Sequence, residues 1–172
     1  DNLKLSSAGS SVNLMAARPV SPPDLYFLSL IMRAPILMLF LFAASAIAQE
    51  PVITEFMASN QNSIADGRGE HPDWIEIHNP TGSSVELHGY VLRDGDTDWP
   101  LLPRSLAPDE RMVIFASGLG EVDPDGWPHA TFTLSKEGEP LELLNPAGDI
   151  VSSFGDRFPV QRTDISYGLD DA

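Results

Sequence analysis

Two histidines and two carboxylates fall within one short segment, in the order His71, Asp73, Glu76 and His78. Imidazole and carboxylate side chains are common zinc ligands, so the segment could hold a metal ion. On a strand, however, His71 and Asp73 would face one side and Glu76 and His78 the other. The four would then not converge on one ion, although two or three could meet if His71 precedes the strand. The pattern favours an ordinary polar sheet face.

Glu55 and Glu76 are the carboxylates best placed to approach each other across neighbouring strands. A pair of carboxylates is what glycoside hydrolysis requires. We interpret them instead as structural groups that hold backbone amides or a cation, because the sequence indicates no pocket around them. The chain also lacks a Gly-x-Ser-x-Gly nucleophile motif and any glycine-rich phosphate loop. We therefore predict no catalytic residues.

The segment Asp94-Gly95-Asp96-Thr97-Asp98 has the alternating acidic spacing that begins a calcium loop. Trp99 stands where that loop needs its turn glycine, and Ser105 where it needs its last acidic ligand, so an EF-hand is excluded. The remaining alternatives are a solvated acidic hairpin and a looser calcium clip that includes Asp123 and Asp125. We predict no metal site and no cofactor beyond loosely bound calcium.

Four aromatic residues could in principle stack on a sugar: Trp74, Trp99, Trp127 and Tyr90. Trp74 lies in the most regular alternating segment and is expected in the core. Trp99 and Trp127 each precede a proline in a predicted loop, so we expect these two to be exposed. Nothing in the spacing aligns the rings, and the sequence leaves the binding residues unknown.

Short apolar runs separated by Pro, Gly, Asn and Asp recur along the chain after residue 50, and no segment there carries a helical apolar stripe. Many short strands joined by turns are typical of an all-β sandwich or barrel. We predict a mostly antiparallel sandwich, with strands at 52–57, 73–78, 85–93, 111–116, 130–134, 140–144, 150–154 and 164–167.

Residues 32–48 have the three parts of a secretory signal peptide. Met32 and Arg33 give a positive start, 34–47 are apolar apart from Pro35 and Ser45, and Ala46-Ile47-Ala48 is a small-x-small cleavage site. We predict cleavage before Gln49 and a secreted or cell-surface location.

Residues 1–31 show no sustained period and are interpreted as unstructured upstream translated sequence. The alternative is a membrane anchor that starts at Leu25. Arg33 would interrupt that span, and its uninterrupted apolar part is shorter than the roughly 20 residues that spanning requires.

The chain is strongly acidic, with a formal net charge of −15, and has no cysteine. An acidic surface repels phosphate backbones, so we expect no nucleic-acid partner. Without disulfides the exported domain must depend on its hydrophobic core, and 49–172 is long enough to form one.

The region 49–172 contains a series of blocks in a characteristic order and spacing, which include Val52-Ile53-Thr54-Glu55-Phe56-Met57-Ala58-Ser59-Asn60, Asp73-Trp74-Ile75-Glu76-Ile77-His78-Asn79-Pro80, Leu87-His88-Gly89-Tyr90-Val91-Leu92, Val113-Ile114-Phe115-Ala116-Ser117-Gly118 and Ser166-Tyr167-Gly168. In the order and spacing of these blocks the region resembles the lamin tail domain family, bacterial exported type. The resemblance implies an immunoglobulin-like β-sandwich. It also implies a further strand after Gly168, so we expect the domain to be truncated at its C-terminus.

The resemblance implies a non-catalytic extracellular interaction or spacer module within a larger secreted or surface protein, serving adhesion, matrix assembly or domain positioning. Its partners would be a protein, a cell-surface polymer or neighbouring domains, with no stable membrane insertion after cleavage. The alternative is a small carboxylate-based hydrolase or a carbohydrate-binding appendage of an exported enzyme.

Overall fold

The computed structural model describes residues 50–169. The upstream segment 1–31 and the predicted signal peptide 32–48 lie outside the described residues. Within 50–169 there is no helix, and none that could cross a bilayer. The strands are β1 (Val52–Met57), β2 (Asp73–His78), β3 (Val85–Glu86), β4 (Val91–Asp94), β5 (Thr97–Pro100), β6 (Ser105–Leu106), β7 (Arg111–Ala116), β8 (Leu141–Leu144), β9 (Ile150–Ser153) and β10 (Tyr167–Gly168).

The first sheet has four strands in the order β10-β1-β2-β7, and each neighbouring pair is antiparallel. Strand β2 lies between two neighbours, and its alternation sets the two faces of the sheet. Ile75 and Ile77 are fully buried in the main core. Trp74 lies on the opposite face in a second apolar cluster with Met57 and Phe115. Strand β7 is therefore covered on both sides near Phe115, as its continuous apolar run predicts.

The second sheet has the order β5-β4-β8-β9 and is also antiparallel, while β3 and β6 form a separate two-stranded ribbon. Leu92 on β4 and Leu143 on β8 are register partners, and both are fully buried. Leu141 and Leu143 face inward because alternate strand residues share a face. The sheet thus contributes a row of leucines to the same core as Ile75 and Ile77.

Both four-stranded sheets contribute to one core, which matches the predicted all-β, mostly antiparallel fold and is consistent with an immunoglobulin-like sandwich. Phe56 on β1 lies at its centre, with ring centroids 4.5 Å from Phe158 and 4.9 Å from Phe154. These rings join β1 to the segment that follows β9. Burying aromatic side chains is among the largest favourable terms in a core of this size.

The strand predictions at 52–57, 73–78 and 111–116 are confirmed. The predictions for 140–144 and 150–154 are confirmed with boundary shifts of one residue, to Leu141–Leu144 and Ile150–Ser153.

Three strand predictions need correction. The predicted strand 85–93 is broken by a turn in which the Tyr90 amide donates to the Leu87 carbonyl at 3.1 Å. The segment 130–134 is not a strand and makes one isolated bridge, from Thr133 to Ser117. In 164–167, Asp164 has a positive φ of 59°, so the strand begins only at Tyr167. Strands β5 and β6 were not predicted.

Candidate functional site

The histidines and carboxylates of 71–78 separate in space. His71 and Asp73 line an open cavity of about 490 Å³, which neither Glu76 nor His78 lines. His78 lies instead with Nε2 at 2.8 Å from Asp109 Oδ1. The structure therefore does not bring the four residues together.

Asp73 is held by local backbone contacts. Its Oδ1 accepts a hydrogen bond from the Asn60 amide at 3.0 Å, and His71 Nδ1 lies 3.2 Å from the Ile64 carbonyl. Burial raises the pKa of Asp73, the Asn60 amide opposes that rise, and the charge of Glu139 adds to it. The cavity beside Asp73 is also lined by Asp66, Arg68, Glu70, Pro72, Ala116, Ser117, Leu119 and Thr133.

Glu55 and Glu76 are register partners across β1 and β2 and line one polar groove of about 240 Å³. Glu76 Oε1 accepts hydrogen bonds from Thr54 Oγ1 at 2.6 Å and from Arg111 Nη1 at 2.7 Å. The carboxylate of Glu76 thus belongs to a cross-strand polar network. This arrangement stabilises a sheet and does not isolate a carboxyl group in an apolar cleft, where a general acid would be expected.

The acidic segment 94–98 forms the hairpin between β4 and β5. Arg93 binds Asp98 through Nε at 2.6 Å and Nη2 at 3.1 Å. Asp94 is buried, and its Oδ1 has no hydrogen-bond partner among the described residues. Burial, followed by the hydrogen bond and charge of Glu139, raises the pKa of Asp94 to about 7. These carboxylates are therefore engaged in different local contacts.

A cluster that the sequence did not indicate forms from Asp66, Asp123 and His129, all three buried. His129 Nε2 lies 3.4 Å from Asp123 Oδ2 and 3.9 Å from Asp66 Oδ2. Asp66 belongs to the β1–β2 loop, and the other two belong to the β7–β8 connection. Of the five acidic residues considered for a calcium clip, only Asp123 enters this cluster. The cluster was not predicted because Asp66 is far along the chain from the other two residues and the three form no local motif.

The aromatic residues do not form a shared platform. Trp74 is 7% exposed, as expected for a core residue, but Trp99 is 6% exposed and lies in the main core. The prediction that Trp99 is exposed is therefore wrong, because β5 turns its side chain inward beside Leu92. Trp127 is 41% exposed, as predicted. The Tyr90 hydroxyl donates to the Glu50 carboxylate, and burial, helped by that carboxylate, raises the pKa of Tyr90.

An apolar groove of about 210 Å³ lies beside the β5–β6 segment. Leu102 and Val122 line it and are 42% and 50% exposed. Its other lining residues are Trp99, Leu101, Pro103, Arg104, Met112, Gly126 and Pro128. Exposed apolar side chains grouped around a concave surface are common at protein contact sites.

The comparisons with known proteins agree with the fold. No curated protein matches the chain. The sequence model of the Lamin Tail Domain family matches residues 44–157, which is more than half of the chain. The match includes β1 to β9 and all three members of the Asp66–Asp123–His129 cluster. The chain belongs to the lamin tail domain family.

Proposed function

We propose that this chain acts outside the cell as a non-catalytic interaction or spacer module of a larger secreted or surface protein. The observation that carries the proposal is the lamin tail domain match over residues 44–157, on an all-β domain consistent with an immunoglobulin-like fold. Its partners are a protein, a cell-surface polymer or neighbouring domains of the same polypeptide.

The contacts of the candidate catalytic groups support a non-catalytic role. Glu76 is paired with Arg111 and Thr54. A general acid or base needs a carboxyl group that can reach substrate inside a cleft. The Glu76 carboxylate instead binds side chains of its own sheet.

Export is tested on the native protein recovered from the producing cells. We expect N-terminal sequencing to begin at Gln49, because Ala46-Ile47-Ala48 forms the cleavage site. A mass near 13–14 kDa would identify a free module, and a larger mass with the same start would identify a multidomain protein. A product retained in the membrane with 32–48 intact would contradict the export proposal.

The interaction role is tested with a photo-crosslinking amino acid placed at Val122, on the rim of the apolar groove. The matched control position is Ile150 on β9, which is 53% exposed compared with 50% for Val122. We expect adducts with an extracellular protein from position 122 and none from position 150. Equal labelling at both positions, or none at either, would show that the groove is not the contact surface.

The alternative, a carboxylate-based hydrolase or carbohydrate-binding appendage, rests on Glu55 and Glu76 in their shared groove and on Asp73 in the larger open cavity. A screen of soluble polysaccharides tests it by release of reducing sugar. We expect no release from the native chain. Hydrolysis lost in both Glu55→Gln and Glu76→Gln, and retained in Glu142→Gln, would establish the alternative.

A further inference from the structure

The buried Asp66, Asp123 and His129 place two carboxylate oxygens and one imidazole nitrogen within 4.8 Å of one another. The side chains of Asp123 and His129 are 0% exposed, and that of Asp66 is 2% exposed. Burying two carboxylates together is costly unless positive charge compensates them. Arg68, with Nη1 at 3.8 Å from Asp66 Oδ2, compensates at most one of the two charges, so the site also favours a cation or a proton at its centre.

The spacing of the three atoms suits a small divalent ion. Ligands bound to tetrahedral zinc at about 2.0–2.1 Å stand about 3.3–3.4 Å apart. His129 Nε2 and Asp123 Oδ2 are 3.4 Å apart, and His129 Nε2 and Asp66 Oδ2 are 3.9 Å apart. The His129–Asp123 separation matches two positions of such a tetrahedron, and the His129–Asp66 separation exceeds the ideal value by about half an ångström.

Asp66 Oδ2 is an independent indication of a missing partner. Its sister oxygen Oδ1 accepts hydrogen bonds from the Arg68 and Glu70 amides, both at 2.9 Å. Among the described residues, the cationic partners nearest to Oδ2 are Arg68 Nη1 at 3.8 Å and His129 Nε2 at 3.9 Å, both beyond hydrogen-bond distance. The Arg68 guanidinium is instead bonded to Glu121 at 2.6 Å. Among the described residues Asp66 Oδ2 therefore forms ion pairs but accepts no hydrogen bond, although the Asp66 side chain is only 2% exposed.

The surroundings hold the other two ligands in place. His129 Nδ1 lies 2.8 Å from Ser117 Oγ, which orients Nε2 toward the cluster, as an outer-shell hydrogen bond does for metal-binding histidines. Asp123 Oδ2 accepts a hydrogen bond from Gly67 at 2.6 Å, and its Oδ1 accepts from the Asp125 and Trp127 amides at 3.0 and 2.9 Å. These donors keep the Asp123 carboxylate fixed.

Asp66 and Ser117 line the open cavity of about 490 Å³, which offers an entry path to the cluster.

We propose that Asp66, Asp123 and His129 bind a divalent first-row transition metal, with Zn²⁺ as the best-fitting ion. Imidazole together with carboxylate favours such an ion over calcium, which takes oxygen ligands. The ion fastens the β1–β2 loop to the β7–β8 connection. Three protein ligands leave one tetrahedral position for water or for a group in the adjoining cavity. This site is independent of the proposed interaction role.

The test is calorimetric titration of the chelator-treated 172-residue chain with ZnCl₂. We expect saturable one-to-one binding and an increase in the thermal unfolding midpoint, because a ligand that binds only the folded state stabilises it. X-ray absorption of the zinc-loaded chain should show nitrogen and oxygen ligands at about 2.0–2.1 Å with one imidazole. This spectrum requires no variant and so does not depend on a substitution being tolerated.

Two matched pairs of variants locate the site. Asp66→Asn retains the oxygen that accepts the Arg68 and Glu70 amides but removes the charge, and we expect zinc affinity to fall at least ~10-fold. Asp98→Asn removes the same charge outside the cluster and should leave affinity unchanged. His129→Gln should remove the imidazole signal, while His88→Gln, at an exposed histidine, should retain it.

Absence of saturable binding would overturn the proposal. Zinc binding that is unchanged in Asp66→Asn, or lost equally in the Asp98→Asn control, would also overturn it.

Discussion

Asn79 shows, at the scale of one residue, how a turn is held inside this core. It is fully buried, and its Nδ2 donates to the carbonyls of Ser83, Leu106 and Ala107 at 2.9, 3.0 and 2.9 Å. Its Oδ1 accepts from the Thr81 amide at 3.0 Å. One side chain therefore satisfies several backbone groups between β2 and β7, groups that would otherwise be buried without partners.

Replacing Asn79 should be severely destabilising. Asn79→Ala leaves three carbonyls and one amide without their side-chain partner, and we expect a loss of roughly 2–4 kcal/mol in the free energy of unfolding. Urea denaturation followed by tryptophan fluorescence measures it. The control is Asn145→Ala, which removes the same kind of turn contact to Ala147 and Asp149 at the surface and should cost roughly 0.5–1 kcal/mol. Equal losses in the two variants would contradict the role of burial.

Asp94 should make the stability of the domain depend on pH. Its pKa is raised from 3.8 to about 7 by burial and by Glu139, so the folded state holds this proton more tightly than the unfolded chain does. The contribution of Asp94 to the free energy of unfolding is therefore complete below pH 4 and is lost as the pH rises through about 7.

Asp94→Asn keeps the side chain neutral at every pH. We expect the unfolding free energy of the variant, relative to that of the native chain, to be higher at pH 8 than at pH 5 by roughly 1–3 kcal/mol. Thermal or urea unfolding at the two pH values measures the difference. Asp96→Asn at the exposed turn should show no such pH-dependent gain. A gain that is the same at both pH values would contradict the titration of Asp94.

At the scale of the elements, sequence alternation succeeded where one face of a strand meets the core. Ile75 and Ile77 alternate with Glu76 and His78, and β2 was predicted with correct ends. The strand predicted at 130–134 was wrong because Ala130, Phe132 and Leu134 are buried although they lie in an irregular segment. Alternate residues of this segment are buried although it is not a strand, so its sequence shows the alternation of a strand. Its backbone pairs only at an isolated bridge.

Strand β5 was missed for the opposite reason. Its sequence, Thr97–Pro100, has only Trp99 as a core residue and ends in proline, so composition favoured a loop. Pairing with β4 makes it an edge strand, where proline is tolerated because the outer side needs no donor. The Asp66–Asp123–His129 cluster was missed because tertiary packing of two loops, and no local spacing, brings its members together.

Gly138 lies in a turn of the β7–β8 connection that leaves no room for a side chain. Gly138 has φ of 92°, and a Cβ there would lie 2.1 Å from the Phe158 carbonyl oxygen. Gly148 has a similar φ of 87° but open space around it. We expect Gly138→Ala to destabilise the domain by roughly 3 kcal/mol or more, and Gly148→Ala by roughly 1 kcal/mol, because only the first adds a backbone clash to the strain of positive φ. Denaturant unfolding of both variants measures the difference, and equal costs would contradict the predicted clash.

At the scale of the whole molecule, charge limits the choice of partner. The chain has 25 acidic and 10 basic residues. Several of its arginines are already paired with carboxylates on the domain, including Arg93 with Asp98 and Arg104 with Glu110. A phosphate backbone approaching this surface meets repulsion at long range and needs free cations at short range. The acidic balance favours a protein partner over a nucleic acid.

The excess of acidic residues predicts that the chain does not bind duplex DNA even at low salt, where electrostatic attraction to phosphate is strongest. Fluorescence polarisation of a labelled duplex in about 50 mM salt is the most permissive measurement, because phosphate contacts weaken steeply as salt increases. We expect no change in polarisation as the chain is added, while a basic DNA-binding protein under the same conditions verifies the assay. Saturable binding that weakens with added salt would reveal a local basic surface that the net charge of −15 conceals. Saturable binding that is insensitive to salt would instead point to contacts with the bases. Either outcome would remove charge as the reason for preferring a protein partner.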